Sequence, residues 1–153
     1  MALTNAWHFF TDQVMGGISS GQISHLKEED EHFVRMAGNV STDNRGGFIQ
    51  MRQELVAALP ENTQGIRIIA RGNQQQYFVH LKTRGSLLPW QFYQSGFEVT
   101  EQWQEIHLPL KHFSAKGSII SKSLNATSIK SVAIAAYGRD HEALIDLKTI
   151  DFY

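Results

Sequence analysis

The chain has no cysteine among its 153 residues. Disulfides, thiolate metal sites, iron–sulfur clusters and cysteine nucleophiles are therefore excluded. An excess of positive charge is also missing, because 14 Lys and Arg residues stand against 15 Asp and Glu residues, and the net charge is −1 with neutral histidine. This balance argues against a dedicated nucleic-acid binder, which normally has a clear basic excess.

Long apolar runs are absent too, whereas a transmembrane helix needs about 20 consecutive apolar residues. Residues 1–5 contain neither the basic segment nor the apolar segment of a signal peptide. We therefore expect no direct insertion into a membrane and a cytoplasmic location.

Motifs of common catalytic and cofactor sites are scarce. The sequence contains no H-E-x-x-H pair and neither of the phosphate loops G-x-x-x-x-G-K-[ST] and G-x-G-x-x-G. Residues 17–21 match the G-x-S-x-G nucleophile elbow, but residues 22–27 favour a strand where that elbow needs a helix. We therefore predict no catalytic residues, no zinc-type metal site and no cofactor, although a calcium ion held by backbone carbonyls would leave little trace in the sequence.

The sequence does contain short alternating or apolar segments, separated by Gly, Asn, Asp or Pro at intervals of roughly ten residues. Such spacing is typical of a β-sandwich or a β-barrel. The 42% hydrophobic residues are enough to fill one core, so residues 1–153 are predicted to form a single all-β domain. A sandwich is the first choice, and a closed eight-stranded barrel of the lipocalin type is the alternative.

Period-two patterns locate several strands. Residues 66–70 and 77–81 alternate apolar and polar side chains on either side of residues 71–74, which predicts a hairpin with one buried face. Residues 106–110 and 132–136 predict two further core strands.

Three shorter features complete the pattern. The alternation within residues 143–153 changes phase, which predicts a β-bulge near Thr149. The run of acids within residues 27–31 predicts a solvated hairpin tip. Residues 110–113 and 124–128 each predict a single helical turn.

The three tryptophans are predicted to have different roles. Trp7 and Trp103 lie in strand-like runs and are expected in the core. Trp90 follows Pro89 and is expected in a loop, where its ring can contact a ligand.

The strongest signal is the string D-Q-V-M-G-G-I-S at residues 12–19, followed by G-N-V-S at 38–41 and N-R-G-G-F at 44–48. These strings resemble the complex I intermediate-associated protein 30 family, and the resemblance extends over essentially the whole chain. Residues 71–73 read R-G-N where the family usually has R-G-D, which weakens a cation-binding or sugar-binding role for that loop.

The resemblance implies a jelly-roll β-sandwich similar to galactose-binding domains, without catalytic residues. It further implies a protein-binding role, as an assembly factor or chaperone for complex I or for another membrane or redox complex. The residues expected to line the binding end are Asp12, Met15, Gly16, Gly17, Ser19, Asn44, Gly46, Gly47 and Arg71. Glycine and aspartate at these positions also fit a purely architectural role, because tight loops need their conformations.

A carbohydrate-binding module is the alternative function, since similar jelly rolls bind sugars through loop aromatics and polar groups. Its site would comprise Trp90, Tyr93, Asn73 and Arg71.

Overall fold

The computed structural model describes residues 6–117 and 120–153, with residue 45 described by its backbone alone. Within this part of the chain the elements are eleven β-strands and four 3₁₀ turns. The strands are β1 His8–Thr11, β2 Ser20–Glu28, β3 Glu31–Val40, β4 Phe48–Glu54, β5 Gly65–Gly72, β6 Gln76–Thr83, β7 Phe92–Glu98, β8 Gln104–Pro109, β9 Ser114–Lys116, β10 Ile129–Tyr137 and β11 His141–Phe152. The turns are Asp12–Met15, Asp43–Arg45, Leu110–His112 and Ala126–Ser128. The described elements include no helix of sufficient length and apolarity to cross a membrane.

The strands form two antiparallel sheets that pack face to face. The six-stranded sheet has the order β1-β4-β10-β6-β7-β9, and the five-stranded sheet has the order β2-β3-β11-β5-β8. Within the described residues each sheet ends in two unpaired edge strands, so the predicted sandwich is confirmed and the lipocalin-like closed barrel is wrong.

The core lies between the two sheets, because every long strand directs alternate side chains inward. The strands predicted at residues 106–110 and 132–136 are β8 and β10. Fully buried inward apolar side chains among the described residues include Met36, Ile66, Ile68 and Ile145 from the five-stranded sheet, and Ile49, Met51, Val79, Leu81, Val132 and Ile134 from the six-stranded sheet.

The predicted hairpin of residues 66–70 and 77–81 is wrong. Both segments are strands, but β5 belongs to the five-stranded sheet and β6 to the six-stranded sheet. The connection crosses the sandwich and is fixed by Asn73, which accepts a hydrogen bond from the Tyr77 hydroxyl at 2.5 Å and donates one to the Glu142 carbonyl at 2.8 Å. Alternation gives each strand one buried face in either arrangement, so the sequence pattern does not distinguish the two.

The shorter predicted features are confirmed. The pairing of β11 with β5 shifts register between Leu147 and Thr149, which is the expected bulge. The tip between β2 and β3 is a tight turn in which Glu29 and Asp30 have φ values of 51° and 67°. The two predicted helical turns are the 3₁₀ turns that precede β9 and β10.

Trp7 and Trp103, both expected in the core, differ in their surroundings. Trp7 is partly buried and packs against the core, as expected. Trp103 is not a core residue, which corrects the prediction. It precedes β8, and its ring contacts the Arg71 guanidinium at 4.4 Å and the Lys148 ammonium at 4.2 Å.

The cytoplasmic location was expected from residues 1–5. These residues lie outside the part of the chain that the structure describes.

Candidate functional site

A cleft lies on the outer face of the six-stranded sheet, above its central strand β10. The outward residues of β10 include Ser131, Ala133 and Ala135, whose side chains are short. The register places Ala133 between Arg52 of β4 and His80 of β6. Long side chains therefore rise on both sides of a floor of small residues, and they enclose a volume of about 570 Å³.

The cleft is lined by aromatic, amide and cationic side chains together with small residues. The lining residues are Phe10, Val14, Met15, Thr42, Gly46, Gly47, Phe48, Gln50, Arg52, His80, Lys82, Pro89, Trp90, Phe92, Ser131, Ala133, Tyr137 and Gly138. None of these described residues is Asp or Glu, and nowhere in the described chain do three His, Asp or Glu side chains form a group that could hold a metal ion. The cleft thus suits a neutral or anionic organic ligand better than a cation.

Aromatic rings form two walls of the cleft. On one side His80 and Phe92 stack with 4.1 Å between ring centroids, and Tyr137 meets them edge-on at 5.4 Å and 6.3 Å. On the other side Phe10 and Phe48 form a T-shaped pair at 5.9 Å. These contacts hold the rings in fixed orientations, so the cleft presents preformed apolar faces.

His80 is an uncharged member of this wall. Its alternating position in β6 points away from the core, yet only 5% of the residue is exposed, because the neighbouring rings cover it. This burial lowers the pKa of His80 from 6.5 to about 4, against the opposing effect of the hydrogen bond with Gln94. The imidazole is therefore neutral at pH 7, and its Nε2–H donates to the Gln94 amide oxygen at 2.9 Å.

The loop that precedes β7 holds Trp90 at the edge of the cleft. Lys82 Nζ donates to the carbonyl oxygens of Leu88 at 2.9 Å and Gln91 at 3.0 Å, and the Leu88 amide donates to Gln91 Oε1 at 3.0 Å. The loop is therefore anchored to β6, while Trp90 itself remains 57% exposed. The predicted loop position of Trp90 is confirmed, and its ring is accessible to a ligand.

The opposite edge of the cleft is built by two loops that meet at the buried carboxylate of Asp12. This carboxylate accepts the Ser19 amide at 2.9 Å, the Ser19 hydroxyl at 2.5 Å, the Gly47 amide at 2.6 Å and the Phe48 amide at 3.3 Å. Burial by itself would raise the pKa of Asp12, but these hydrogen bonds together lower it below its ordinary value. The ionised side chain is fully occupied by the protein, so its role is to join the loops.

The glycines around Asp12 have two structural functions. A Cβ at Gly17 or Gly46 would overlap the Asp12 carboxyl group. Gly16 and Gly47 have φ values of +89° and +137°, in the region that favours glycine. The architectural interpretation therefore explains much of the glycine pattern at this edge.

Four of the residues selected from the sequence line the cleft. Met15, Gly46 and Gly47 lie on its loop edge, and Trp90 lies on the other edge. Asn44 does not line it, and adopts a left-handed φ of 55° in an exposed turn.

Arg71 is not at this end of the sandwich, which corrects the prediction. It lies on the outer face of the five-stranded sheet, where its Nε donates to Asp146 at 2.9 Å and its Nη2 donates to Glu28 at 3.1 Å. Asp146 also accepts from Arg35 Nε at 2.7 Å. The Arg71 guanidinium is therefore held in an ion-pair network of the other sheet.

The site of Trp90, Tyr93, Asn73 and Arg71 predicted for a sugar is not brought together either. Tyr93 points into the core and donates its hydroxyl to the Ser121 carbonyl at 2.6 Å. Asn73 is used in the crossing between the sheets. The residue of β7 that faces the cleft is instead the neighbour of Tyr93, Phe92, because side chains alternate along a strand.

The middle of the cleft was missed by the sequence analysis. Its residues on β4, β6, β7 and β10 are Phe48, Gln50, Arg52, His80, Lys82, Phe92 and Tyr137. One signal was present, because residues 131–137 read S-V-A-I-A-A-Y, in which the outward positions 131, 133 and 135 are small rather than charged. That composition is typical of a strand that is covered on both faces.

Two antiparallel sheets packed face to face define an all-β sandwich, with a cleft on one outer face. A family 11 carbohydrate-binding module from Clostridium thermocellum, in complex with a β-1,3-1,4-mixed-linked tetrasaccharide, is similar with a TM-score of 0.77 and 12% identity, over 97% of this chain and 89% of that chain. A CBM4 structure has a TM-score of 0.59 and 14% identity, over 95% and 84% of the two chains. An exo-β-agarase matches 98% of this chain with 23% of its own length, at a TM-score of 0.64 and 6% identity. At these identities the likeness shows the fold alone.

The sequence itself matches the family model for complex I intermediate-associated protein 30 over residues 2–148. The chain therefore belongs to this family, and the resemblance seen in its glycine-rich strings is confirmed. No curated protein matches the chain in sequence.

Proposed function

We propose that this chain is a non-catalytic carbohydrate-binding domain, with its ligand in the cleft on the outer face of the six-stranded sheet. The main support is the presence of fixed ring faces and hydrogen-bonding side chains in one cleft. Phe92, Tyr137 and Trp90 offer apolar faces, while Gln50 and Arg52 offer polar groups. A sugar ring has an apolar C–H face and a rim of hydroxyls, so its recognition needs both kinds of surface.

The size of the cleft supports the same proposal. Its volume of about 570 Å³ is within the range of small-ligand sites. The structural similarity to modules that hold oligosaccharides adds support at the level of fold.

The lack of carboxyl groups among the described lining residues favours binding without hydrolysis. Glycosidases generally use a pair of Asp or Glu side chains, one of which protonates the leaving oxygen. The described residues that line the cleft include neither Asp nor Glu. A saccharide in this position would therefore meet no carboxylic acid from the lining.

A glycan array followed by isothermal titration calorimetry tests this function. We expect the purified protein to retain at least one oligosaccharide, and the Trp90→Ala variant to bind it about tenfold more weakly, because a stacking face is lost. Leu87→Ala is the matched control, since Leu87 is an exposed residue of the same loop outside the cleft lining. If the protein bound no saccharide on the array, the proposal would be refuted. Equal affinities of Trp90→Ala and the wild type would also refute it.

A second candidate is the docking of a protein partner, as an assembly factor for complex I or another multisubunit complex. Family membership supports it, and so does a set of exposed apolar residues beside the cleft. Val14 is 72% and Met15 54% exposed on the loop edge of the cleft, and Trp90 is 57% exposed on its other edge. Exposed apolar side chains grouped around a concavity are typical of protein interfaces.

Affinity purification from the native cells in gentle detergent tests this candidate. Respiratory-complex subunits should co-purify with the wild type and be lost from a Val14→Ser, Met15→Ser variant. Val56→Ser is the control, because Val56 is exposed after the end of β4 and does not line the cleft. Equal recovery of partners by both variants would argue against docking at this edge.

A further inference from the structure

We infer that the saccharide bound in the cleft is acidic, and that Arg52 and Lys82 hold its carboxylate. This inference rests on the proposed function and specifies the class of ligand. The two cations project from β4 and β6 on either side of β10, above the small side chains of Ser131 and Ala133.

Arg52 has a guanidinium without a full set of partners. Its Nε is buried and has no hydrogen-bond partner. The carboxylate of Glu54 lies nearby, with its Oε1 3.6 Å from this Nε, which is close enough for an ion pair but too far for a hydrogen bond. The guanidinium packs instead against the ring of Phe10, with 4.9 Å from Cζ to the ring centroid. The Arg52 side chain as a whole is 34% exposed and lines the cleft, so its charge remains accessible to an incoming carboxylate.

Three other arginines of this chain do form hydrogen bonds with carboxylates. Arg35 and Arg67 each make a bidentate pair with an aspartate, and Arg71 pairs with both Asp146 and Glu28. All three lie on the five-stranded sheet, away from the cleft. Arg52 differs from these three in the geometry of its pairing, because its one nearby carboxylate, that of Glu54, lies 3.6 Å from Nε and forms no hydrogen bond with it.

Lys82 adds a second positive charge. Two carbonyl oxygens of the Trp90 loop accept hydrogen bonds from its ammonium, but they do not neutralise it. Burial lowers the pKa of Lys82, and the neighbouring charges of Arg52 and Lys130 lower it further. An anion between Arg52 and Lys82 would offset this repulsion.

The same cleft therefore combines a cationic end with ring faces. Phe92 and Tyr137 suit the C–H face of a pyranose, and the guanidinium fork of Arg52 suits a carboxylate. A uronic acid carries both groups on one ring, which is why an acidic saccharide fits this arrangement better than a neutral saccharide or a free anion.

Calorimetry with matched ligands tests the inference. The probes are trimers of galacturonate, glucuronate and mannuronate, each compared with its methyl ester, which keeps the ring and removes the charge. We expect at least one acid to bind about tenfold more tightly than its ester in 20 mM NaCl, and the difference to shrink in 500 mM NaCl because salt screens the pairing. Arg52→Gln should abolish the difference while ester binding persists. Lys111→Gln, at an exposed lysine outside the cleft, is the control.

The outcomes separate this inference from the proposed function. Equal affinity for acid and ester would overturn the inference and leave carbohydrate binding in place, and so would a preference that survives in a folded Arg52→Gln protein. Failure of every acidic and neutral saccharide to bind would overturn both. The comparison of acid with ester uses the wild-type protein, so it does not depend on the folding of any variant.

Discussion

The Asp12 carboxylate accepts the backbone amide of Gly47 at 2.6 Å, across 35 residues of sequence. This hydrogen bond joins the loop after β1 to the loop before β4. Met15 of the first loop and Gly47 of the second both line the cleft. The shape of one edge of the cleft therefore depends on a side chain that does not itself line the cleft.

Replacing Asp12 by alanine should destabilise the fold. The substitution leaves the Ser19 amide, the Ser19 hydroxyl and the Gly47 amide without their acceptor in a buried position, at a cost of about 3–5 kcal/mol. The free energy of unfolding in urea measures the effect. Asp43→Ala is the control and should change it by less than about 0.5 kcal/mol, because Asp43 is exposed. A loss below about 1 kcal/mol for Asp12→Ala would show that the carboxylate does not hold the loops together.

Gly46→Ala should also lower the free energy of unfolding, because the added methyl group overlaps the Asp12 carboxyl group. Overpacking of this kind costs about 1–3 kcal/mol. Gly85→Ala provides the comparison, since a Cβ there meets only Thr83 Oγ1, at an ordinary 3.7 Å. Similar stabilities of the two variants in urea denaturation would contradict the tight packing around Asp12.

Because burial lowers the pKa of His80, we expect the free energy of unfolding to depend on pH. Its pKa is about 4 in the folded protein and 6.5 in its ordinary state, so the unfolded chain takes up a proton first as the pH falls. The contribution of neutral His80 is complete above pH 6.5 and is lost between pH 6.5 and 4, in an amount on the order of 3 kcal/mol. Urea denaturation at pH 7 and at pH 4.5 should show a larger loss for the wild type than for His80→Gln. Equal losses in the two proteins would mean that His80 is not held neutral.

Asp146 should be a major stabilising residue of the opposite sheet. Its side chain is 2% exposed and pairs with both Arg35 and Arg71. Asp146→Ala leaves two guanidinium groups without their shared carboxylate, and it should cost about 3–5 kcal/mol. Glu105→Gln, in the exposed pair with Arg67, should lower the urea midpoint much less, because solvent screens that pair. Comparable effects of the two variants on the urea midpoint would contradict the assigned difference in burial.

Local patterns predicted the strands well, because alternation follows directly from one-sided burial. The bulge beside Thr149, the acidic hairpin tip and the loop position of Trp90 were all present in the sequence. The pairing of β5 with β6 was predicted wrongly, since alternation reports which face of a strand is buried and says nothing about which sheet contains it.

The site was predicted only at its edges. Glycine-rich strings identified the loop that contributes Met15 and Gly47, because tight turns leave a mark in the sequence. The centre of the cleft comes from strands that are distant in sequence and meet only through sheet register, as Arg52 and His80 do across Ala133. Arg71 was misassigned because a charged residue in a strand gives no indication of which sheet presents it.

Two tryptophans on opposite faces allow the position of the binding surface to be measured. Trp90 borders the cleft, and Trp103 lies with Arg71 on the outer face of the other sheet. In a ¹H–¹⁵N NMR titration with a saccharide that binds, we expect the indole signal of Trp90 to shift in proportion to occupancy while that of Trp103 stays in place. A shift of Trp103 with Trp90 unchanged would contradict the assignment of the cleft as the binding site.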